Sequence, residues 1–370
     1  MNTDFSIIIL IVASLIDYLV SDPSKYLHPV QVMGWLIVKC SNFLLKSFKK
    51  RFMRRCTGIV LGLLLVVGSG VFGWMIGLIK YHFSPLIGVV IESIFLASCF
   101  AGRSLRLAAY DVFIPLNRKK INLARIKLSQ YVGRSTTHLS QKNIWRTVLE
   151  TISENSIDGV MAPLFYAIIG ALLPHTNSLA FALAYKASST LDSTIGYKKE
   201  PFADIGWFSA NLEDILTWIP CRLGVLTLAI LAGRPYYVFS VCNRDGTKDI
   251  SPNSGWSESV YAAILKVQLG GKNIYGDVVK DKPLLGEPIE SITFNTIEKA
   301  LTLKRMCSLC WLILGITLIY IKELLFISHM LNVLILKILK NVLLLLKNQQ
   351  IACVFALNQT NDSWRLESAA

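Results

Sequence analysis

The sequence lacks the signatures of several familiar classes of soluble enzyme. It contains no P-loop, no G-x-G-x-x-G and no kinase-type motif, so no nucleotide-binding domain of a common type is indicated. Only 17% of its 370 residues are charged, whereas 53% are hydrophobic, and the mean hydropathy is +0.50. That balance is too apolar for a soluble globule of this size and predicts an integral membrane protein.

Processing and redox signals are also scarce. The N-terminus has neither a basic segment nor an A-x-A cleavage site, so we expect residues 5–20 to form a retained first helix. The eight cysteines include one CxxC, formed by Cys307 and Cys310, without a second pair. A lone pair at the start of an apolar segment favours buried small residues over a zinc or redox site.

Acidic residues are few beside the basic ones, giving a formal net charge of +14. The basic residues lie next to apolar segments, and residues 39–55 contain seven of them without one acid. Residues 102–149 are similarly basic. Such loops are typical of the cytoplasmic side of a membrane, so the lipid bilayer is the expected partner and nucleic acid is not.

The long apolar runs predict an all-α, polytopic membrane helical bundle with a polar site that faces the cytoplasm. The predicted spans are 57–79, 85–101, 215–233 and 307–328, in addition to the first helix. We expect one catalytic membrane domain over residues 1–330, including a polar loop region at 234–306. Residues 331–370 form a leucine-rich extension, predicted to be an interfacial helix or a final span.

Two prolines divide the apolar stretch that follows residue 158. Pro163 and Pro174 leave pieces of about ten residues or fewer, each too short to span a bilayer. We therefore predict a re-entrant or bundle-buried helical hairpin that returns the chain to the cytoplasmic side.

The most informative stretch is ETISENSIDG, which begins at residue 150. Its carboxylates Glu150, Glu154 and Asp158 are spaced i, i+4 and i+8, which places them on one face of a helix. Like charges on one face repel unless a cation lies among them. This pattern beside apolar segments predicts a divalent metal site at the membrane.

Further polar residues are candidates for the same site. The segment from 184 to 223 adds Lys186, Asp192, Tyr197, Asp214 and Arg222. Upstream, an acid, two prolines and His28 form a binding corner or an ordinary membrane-exit loop. Downstream, Asn253 and Ser254 precede a predicted helix, where they form an anion-binding turn or a simple N-cap.

In these blocks the chain resembles the adenosylcobinamide-phosphate synthase (CobD/CbiB) family of cobalamin biosynthesis. The similar blocks appear in the family's order: DP…HPVQVMG, ETISENSIDGVMAPLFY, AYKASSTLDSTIGY, GWFSANLEDILTWIPCRL, and SPNSGWSES with VQLGG. The resemblance covers residues 10 to about 325. Ser189, Asn211 and Glu213 depart from the usual family residues, whereas Asp192 and Asp214 are kept.

The resemblance implies a ligase that joins adenosylcobyric acid to aminopropanol or its O-phosphate, with ATP as co-substrate and Mg²⁺ as cofactor. A carboxylate is a poor acyl donor until it is activated, and the amine must lose a proton. The expected roles are metal ligation, substrate binding and proton removal. The residues are Glu150, Glu154, Asn155, Asp158 and Asp192 for the metal; Lys186, Arg222, Tyr197, Asn253 and Ser254 for substrate; Asp214 and His28 for catalysis.

Two alternatives explain some of the same features. A membrane prenyltransferase with a Mg-diphosphate site would account for the acidic helix, but such enzymes typically need two aspartate-rich motifs. A non-catalytic membrane sensor or transporter would keep the helices and lose the acids, which are present here. A homo-oligomer is left open.

Overall fold

The computed structural model describes residues 5–20, 29–197, 199–275 and 278–326. The chain divides into two compact units, Met1–Ile316 and Thr317–Ala370. The predicted base His28 and the leucine-rich extension 331–370 lie outside the described residues.

Helices dominate the described residues, as expected for an all-α membrane bundle. A π turn, Ile157–Met161, joins the seventh helix to the eighth. The helices are α1 Ser6–Leu19, α2 Pro29–Ser47, α3 Arg51–His82, α4 Pro85–Ala97, α5 Gly102–Asn117, α6 Ile121–Leu128, α7 Gln141–Ser156, α8 Ala162–Leu172, α9 Ser178–Ile195, α10 Trp207–Leu231, α11 Pro235–Asp245, α12 Ser254–Leu265 and α13 Phe294–Phe326.

Among the residues that the structure describes, four segments are long and apolar enough to cross a membrane: α3, the continuous helix Gln141–Leu172, α10 and α13. The pair α4 and α5 forms a fifth if it is one span bent by 41°. The predicted spans 57–79 and 215–233 fall on α3 and α10, and 307–326 falls on α13. Apolar helices bury their polar backbone internally, which makes them stable in lipid.

The expected break at Pro163 is wrong. The helix runs from Gln141 to Leu172 through this proline, and the π turn lies just before it. Proline has no amide hydrogen, so the carbonyl of Gly159 four residues earlier loses its helical donor. The Ala101 amide replaces that donor at 2.8 Å. At Pro174 the chain does turn, and α8 and α9 form the predicted hairpin.

Pro220 is accommodated inside α10 in the same way. The carbonyl that it leaves without a helical donor belongs to Leu216. The Tyr166 hydroxyl donates a hydrogen bond to this carbonyl at 2.8 Å. A side chain of α8 therefore allows α10 to continue through its proline.

Glu92, a carboxylate inside α4, pairs with Lys80 of α3 at 2.7 Å. Both side chains are almost fully buried. This acid therefore joins two neighbouring helices. The close approach of α3 and α4 depends on Gly88, where an added Cβ would lie 2.3 Å from the Lys80 backbone nitrogen.

We expect Gly88→Ala to destabilise the protein by about 1–3 kcal/mol, because the new methyl group overlaps backbone atoms that cannot move alone. The matched control is Gly68→Ala, where no atom lies within 4 Å of the added Cβ. That substitution is expected to be neutral or stabilising by up to about 1 kcal/mol. Thermal unfolding of both variants tests the packing, and equal melting temperatures would contradict it.

The polar region 234–306 contains the only strands among the described residues, an exception to the all-helical prediction. Strands β1 Leu269–Tyr275 and β2 Val278–Leu285 form an antiparallel hairpin. The hairpin packs on α7, α11 and α12. It therefore lies beside the acidic helix that the sequence analysis singled out.

Candidate functional site

Glu150 lies at the junction of α7 and the β-hairpin. Its Oε2 is 2.6 Å from Nη1 of Arg134, and its Oε1 accepts a hydrogen bond from the Gly270 amide at 2.9 Å. Arg146, one turn earlier, is 3.7 Å from the same carboxylate. The Glu150 side chain is only 1% exposed. In the structure the carboxylate of this predicted metal ligand pairs with two arginines and accepts a hydrogen bond from the backbone of β1.

The hairpin is attached to the same two arginines by a second group. The Asn273 side-chain oxygen accepts from Arg134 at 2.6 Å and from Arg146 at 3.2 Å. Arg146 also donates to the carbonyls of Gly270 and Lys272. The result is a compact charged network, which we call the arginine clamp: Arg134, Arg146, Glu150 and Asn273.

The other acids of the predicted site come together from several elements. Asp158 of the π turn interacts electrostatically with Glu154, Asp192 and Glu213 and with the ammonium group of Lys186. These residues belong to α7, α9 and α10. We call this group of four carboxylates and one lysine the acid cluster. Its excess of negative charge favours a bound cation.

Glu213 was not among the predicted site residues, although it precedes Asp214 in the sequence. It is 8% exposed, and its Oε1 accepts hydrogen bonds from Thr217 and, at 3.5 Å, from Tyr185. The Tyr185 and Thr217 hydroxyls are 2.9 Å apart. These contacts fix the Glu213 carboxylate on the α9 side of α10.

The loop before α12 docks on α10. The Ser251 hydroxyl donates to the Asp214 carboxylate at 3.1 Å. The side-chain nitrogen of Asn253 donates to the Asp214 carbonyl at 2.8 Å. Its side-chain oxygen accepts from Arg222 at 2.9 Å. Three predicted residues, distant in sequence, are thereby connected.

Arg222 is held between two aromatic rings. Its guanidinium carbon lies 5.1 Å from the ring centroid of Trp218 and 4.6 Å from that of Trp256. Stacking on both rings fixes the orientation of the planar guanidinium, which suits it to recognise a carboxylate or phosphate.

A buried ion pair that was not predicted from the sequence, Lys282 with Glu258, lies beside the acid cluster. Lys282 of β2 donates to Glu258 of α12 at 2.8 Å, and Lys282 also interacts electrostatically with Glu154. Burial, with a smaller contribution from the nearby Glu150 and Glu154, raises the pKa of Glu258 to about 8, although Lys282 opposes this change. Glu258 lies in the SPNSGWSES block, but the position of Lys282 depends on the unforeseen hairpin.

The remaining predicted residues are less central. The Asn155 amide donates to the Thr151 carbonyl at 2.9 Å, and the Ser254 hydroxyl donates to Asp249 at 3.4 Å. Tyr197 is 56% exposed and donates to the Ser193 carbonyl, so its contacts are local. Within the described ranges, no three acid, histidine or cysteine side chains are close enough to hold one metal ion.

Comparisons with known proteins agree with the arrangement of motifs. The family model described as CobD/Cbib protein matches residues 10–304. The cobalamin biosynthesis protein CobD of Synechocystis sp. is 47% identical over 314 residues, which cover 85% of this chain and 92% of the relative. CobD of Halalkalibacterium halodurans is 34% identical over 83% of this chain and 94% of its own length.

A third relative, the cobalamin biosynthesis protein CbiB of Salmonella typhimurium, is 34% identical over 301 residues. The match covers 80% of this chain and 92% of the relative. No solved structure matches the chain significantly. The family match includes the arginine clamp and the acid cluster, and it extends over most of the chain. The protein therefore belongs to the CobD/CbiB family of cobalamin biosynthesis proteins.

Proposed function

We propose that this protein is an acid–amine ligase that joins adenosylcobyric acid to aminopropanol or its O-phosphate. The product is adenosylcobinamide or its phosphate, and ATP is the co-substrate. The observation that carries the proposal is the acid cluster, in which Asp158 interacts electrostatically with three further carboxylates and with Lys186. Such a concentration of buried and half-buried charge in an apolar bundle indicates a functional site.

The chemistry of the acid cluster suits a hard cation. Carboxylate oxygens are the preferred ligands of Mg²⁺, which usually keeps several water ligands. A bound Mg²⁺ would neutralise phosphate charge during activation of the substrate carboxylate. Because no three acids among the described residues converge as direct ligands, we assign Glu154, Asp158 and Asp192 to hold it together with the water molecules that Mg²⁺ keeps, with Asn155 beside them. Glu150 is assigned to the arginine clamp instead, because Arg134 and Gly270 already contact its oxygens.

The basic residues supply contacts for anionic substrate groups. We assign Arg222, fixed by its two tryptophans and Asn253, to a phosphate or a corrinoid carboxylate. Lys186 contributes positive charge from α9, and Lys282 contributes it from the hairpin. Ser254 stays a candidate through its place in the same loop, and Tyr197 is a candidate at the exposed edge.

Asp214 is our candidate for the group that removes a proton from the amine. Its carboxylate accepts from Ser251, and its backbone carbonyl is held by Asn253. These contacts hold Asp214 against the loop 251–255, and a general base needs such a fixed position. His28 stays a second candidate for this role.

We expect Arg222→Lys to raise the KM for the anionic substrate about tenfold while changing kcat less. Lysine keeps the charge but loses the planar stacking and the defined hydrogen bond to Asn253. Steady-state kinetics with varied corrinoid and amine substrates will show which KM changes. An unchanged KM for both substrates would remove Arg222 from the binding site.

The function itself is tested with purified protein in lipid nanodiscs. Adenosylcobyric acid, ATP, Mg²⁺ and aminopropanol phosphate are supplied, and the corrinoid amide is measured by mass spectrometry. We expect product that depends on ATP and on the amine. A folded protein that gives no product while a working relative does would favour the prenyltransferase or the sensor and transporter hypotheses.

We further propose that the site faces the cytoplasm, because the basic segments 39–55 and 102–149 lead into α3 and α7. A cysteine placed at the exposed position Lys248, near the loop 251–255, tests this orientation. It should resist an impermeant thiol reagent in intact cells and react after lysis. Reaction in intact cells would reverse the orientation.

A further inference from the structure

A cavity of about 780 Å³ is lined by none of the acid-cluster residues. It is lined by residues of α1, α5, α8 and α13 and by Val160 of the π turn. Its size falls within the range of small-molecule binding sites. None of the residues assigned above to metal, substrate or proton transfer lines it.

One end of the cavity is cationic. The guanidinium of Arg106 lies 4.7 Å from the Tyr18 ring centroid and donates to the Tyr18 carbonyl at 3.0 Å. Arg305 interacts electrostatically with the Tyr18 hydroxyl. Both arginines line the cavity. Two guanidinium groups beside a tyrosine make this end suitable for an anionic phosphate group.

The other charges of the lining are used within the protein. The Asp17 carboxylate accepts from the amides of Gly102 and Arg103 at 3.0 and 3.4 Å, so it caps α5. Lys304 donates to the Gly102 carbonyl at 2.8 Å. Glu298 accepts from the Tyr110 hydroxyl at 3.0 Å. These three side chains fix the walls of the cavity, and the other cationic groups of the lining are Arg106 and Arg305, whose described contacts are with Tyr18.

The opposite end is apolar and open at the side. Along α1 the lining changes from Ile11 and Leu15 to Tyr18, and along α13 it changes from Arg305 to Leu309. The change from Ile11 to Tyr18 takes place over about 10 Å of helix. Leu15 and Leu309 are 51% and 50% exposed. Polar and apolar ends this close together fit an amphipathic molecule whose tail leaves the cavity sideways.

We propose that this cavity binds an anionic phospholipid of the cytoplasmic leaflet. The phosphate lies between Arg106 and Arg305, and the acyl chains follow the apolar surfaces of α1 and α13 into the bilayer. The basic flanking segment 102–149 is typical of the cytoplasmic side, where anionic lipids attract arginines near the membrane surface. This proposal does not depend on the ligase reaction.

The test is native mass spectrometry of the full-length protein released from nanodiscs of phosphatidylglycerol or of phosphatidylcholine. We expect one phosphatidylglycerol retained per chain, and at least tenfold less retained phosphatidylcholine. The double variant Arg106→Gln/Arg305→Gln should lose this preference by about tenfold. The matched control, Arg118→Gln/Lys120→Gln, removes the same charge from exposed positions outside the cavity and should retain the lipid.

A second variant tests the volume of the cavity without changing its charge. Ser308→Phe places a ring between the cationic and apolar ends and should also release the lipid. Equal retention of both lipids, or full retention in both variants, would overturn the proposal. So would displacement of the lipid by glycerol phosphate alone, which would indicate a site for soluble phosphate. Stoichiometric displacement by adenosylcobyric acid would also overturn it, because the cavity would then be a corrinoid site.

Discussion

Replacing Glu154 with glutamine is expected to lower the rate of amide formation by at least about 100-fold, which corresponds to about 2.7 kcal/mol of transition-state stabilisation. Glutamine has the same shape but lacks the negative charge that Glu154 contributes to the acid cluster. Because Glu154 is half-buried and not part of the arginine clamp, the fold should be retained. The loss should therefore appear in turnover and not in the melting temperature.

The measurement is the corrinoid amide assay at saturating Mg²⁺, with thermal unfolding of the same samples. Glu290→Gln is the matched control, because Glu290 is an exposed acid outside the cluster. It should retain full activity. Full activity in Glu154→Gln would remove the metal assignment, and a large fall in its melting temperature would indicate a structural role.

Replacing Glu150 with glutamine is expected to have its main effect on stability. The substitution removes the charge that faces Arg134 and Arg146 and leaves a buried guanidinium, which is 8% exposed, without its carboxylate partner. Breaking a buried ion pair from one side typically costs about 3–5 kcal/mol. We expect the β-hairpin to detach first, because the Gly270 amide and Asn273 depend on this network.

The control for Glu150→Gln is the double variant Glu150→Gln/Arg134→Gln. Removing both charges should cost less than removing the carboxylate alone, since the buried Arg134 guanidinium is then absent and Arg146 still donates to the carbonyls of Gly270 and Lys272. Unfolding followed by tryptophan fluorescence measures both effects. A stable Glu150→Gln protein whose apparent affinity for Mg²⁺ has fallen would instead restore Glu150 as a metal ligand.

The membrane helices were predictable because their signal is local. A run such as residues 57–79 is apolar enough by itself to indicate a span, and it falls within α3. Pro163 misled the prediction because proline removes a helical donor locally, as Pro220 also does inside α10. The replacement donors, Ala101 and the Tyr166 hydroxyl, come from distant parts of the chain. Sequence spacing does not reveal such tertiary partners.

The site was predictable to a similar extent. The motifs identified Asp214, Arg222 and Asn253, and the structure connects them. The regular spacing of Glu150, Glu154 and Asp158 suggested one common role. It did not reveal that Glu150 pairs with the arginines of the clamp. It also did not reveal that Asp158 lies in a π turn. The hairpin that completes the clamp has charged, glycine-rich strands without a clear alternation of polar and apolar residues, so its pattern gave little indication of a sheet.

The central claim is that the acid cluster holds a divalent cation, and direct binding of Mn²⁺ in place of Mg²⁺ tests it best. Electron paramagnetic resonance of the purified protein should show one bound Mn²⁺ per chain, displaced by Mg²⁺. The double variant Glu154→Gln/Asp158→Asn should lose that ion, whereas Glu290→Gln should keep it. Unchanged binding in the folded double variant, or no bound ion in the unaltered protein, would contradict the account.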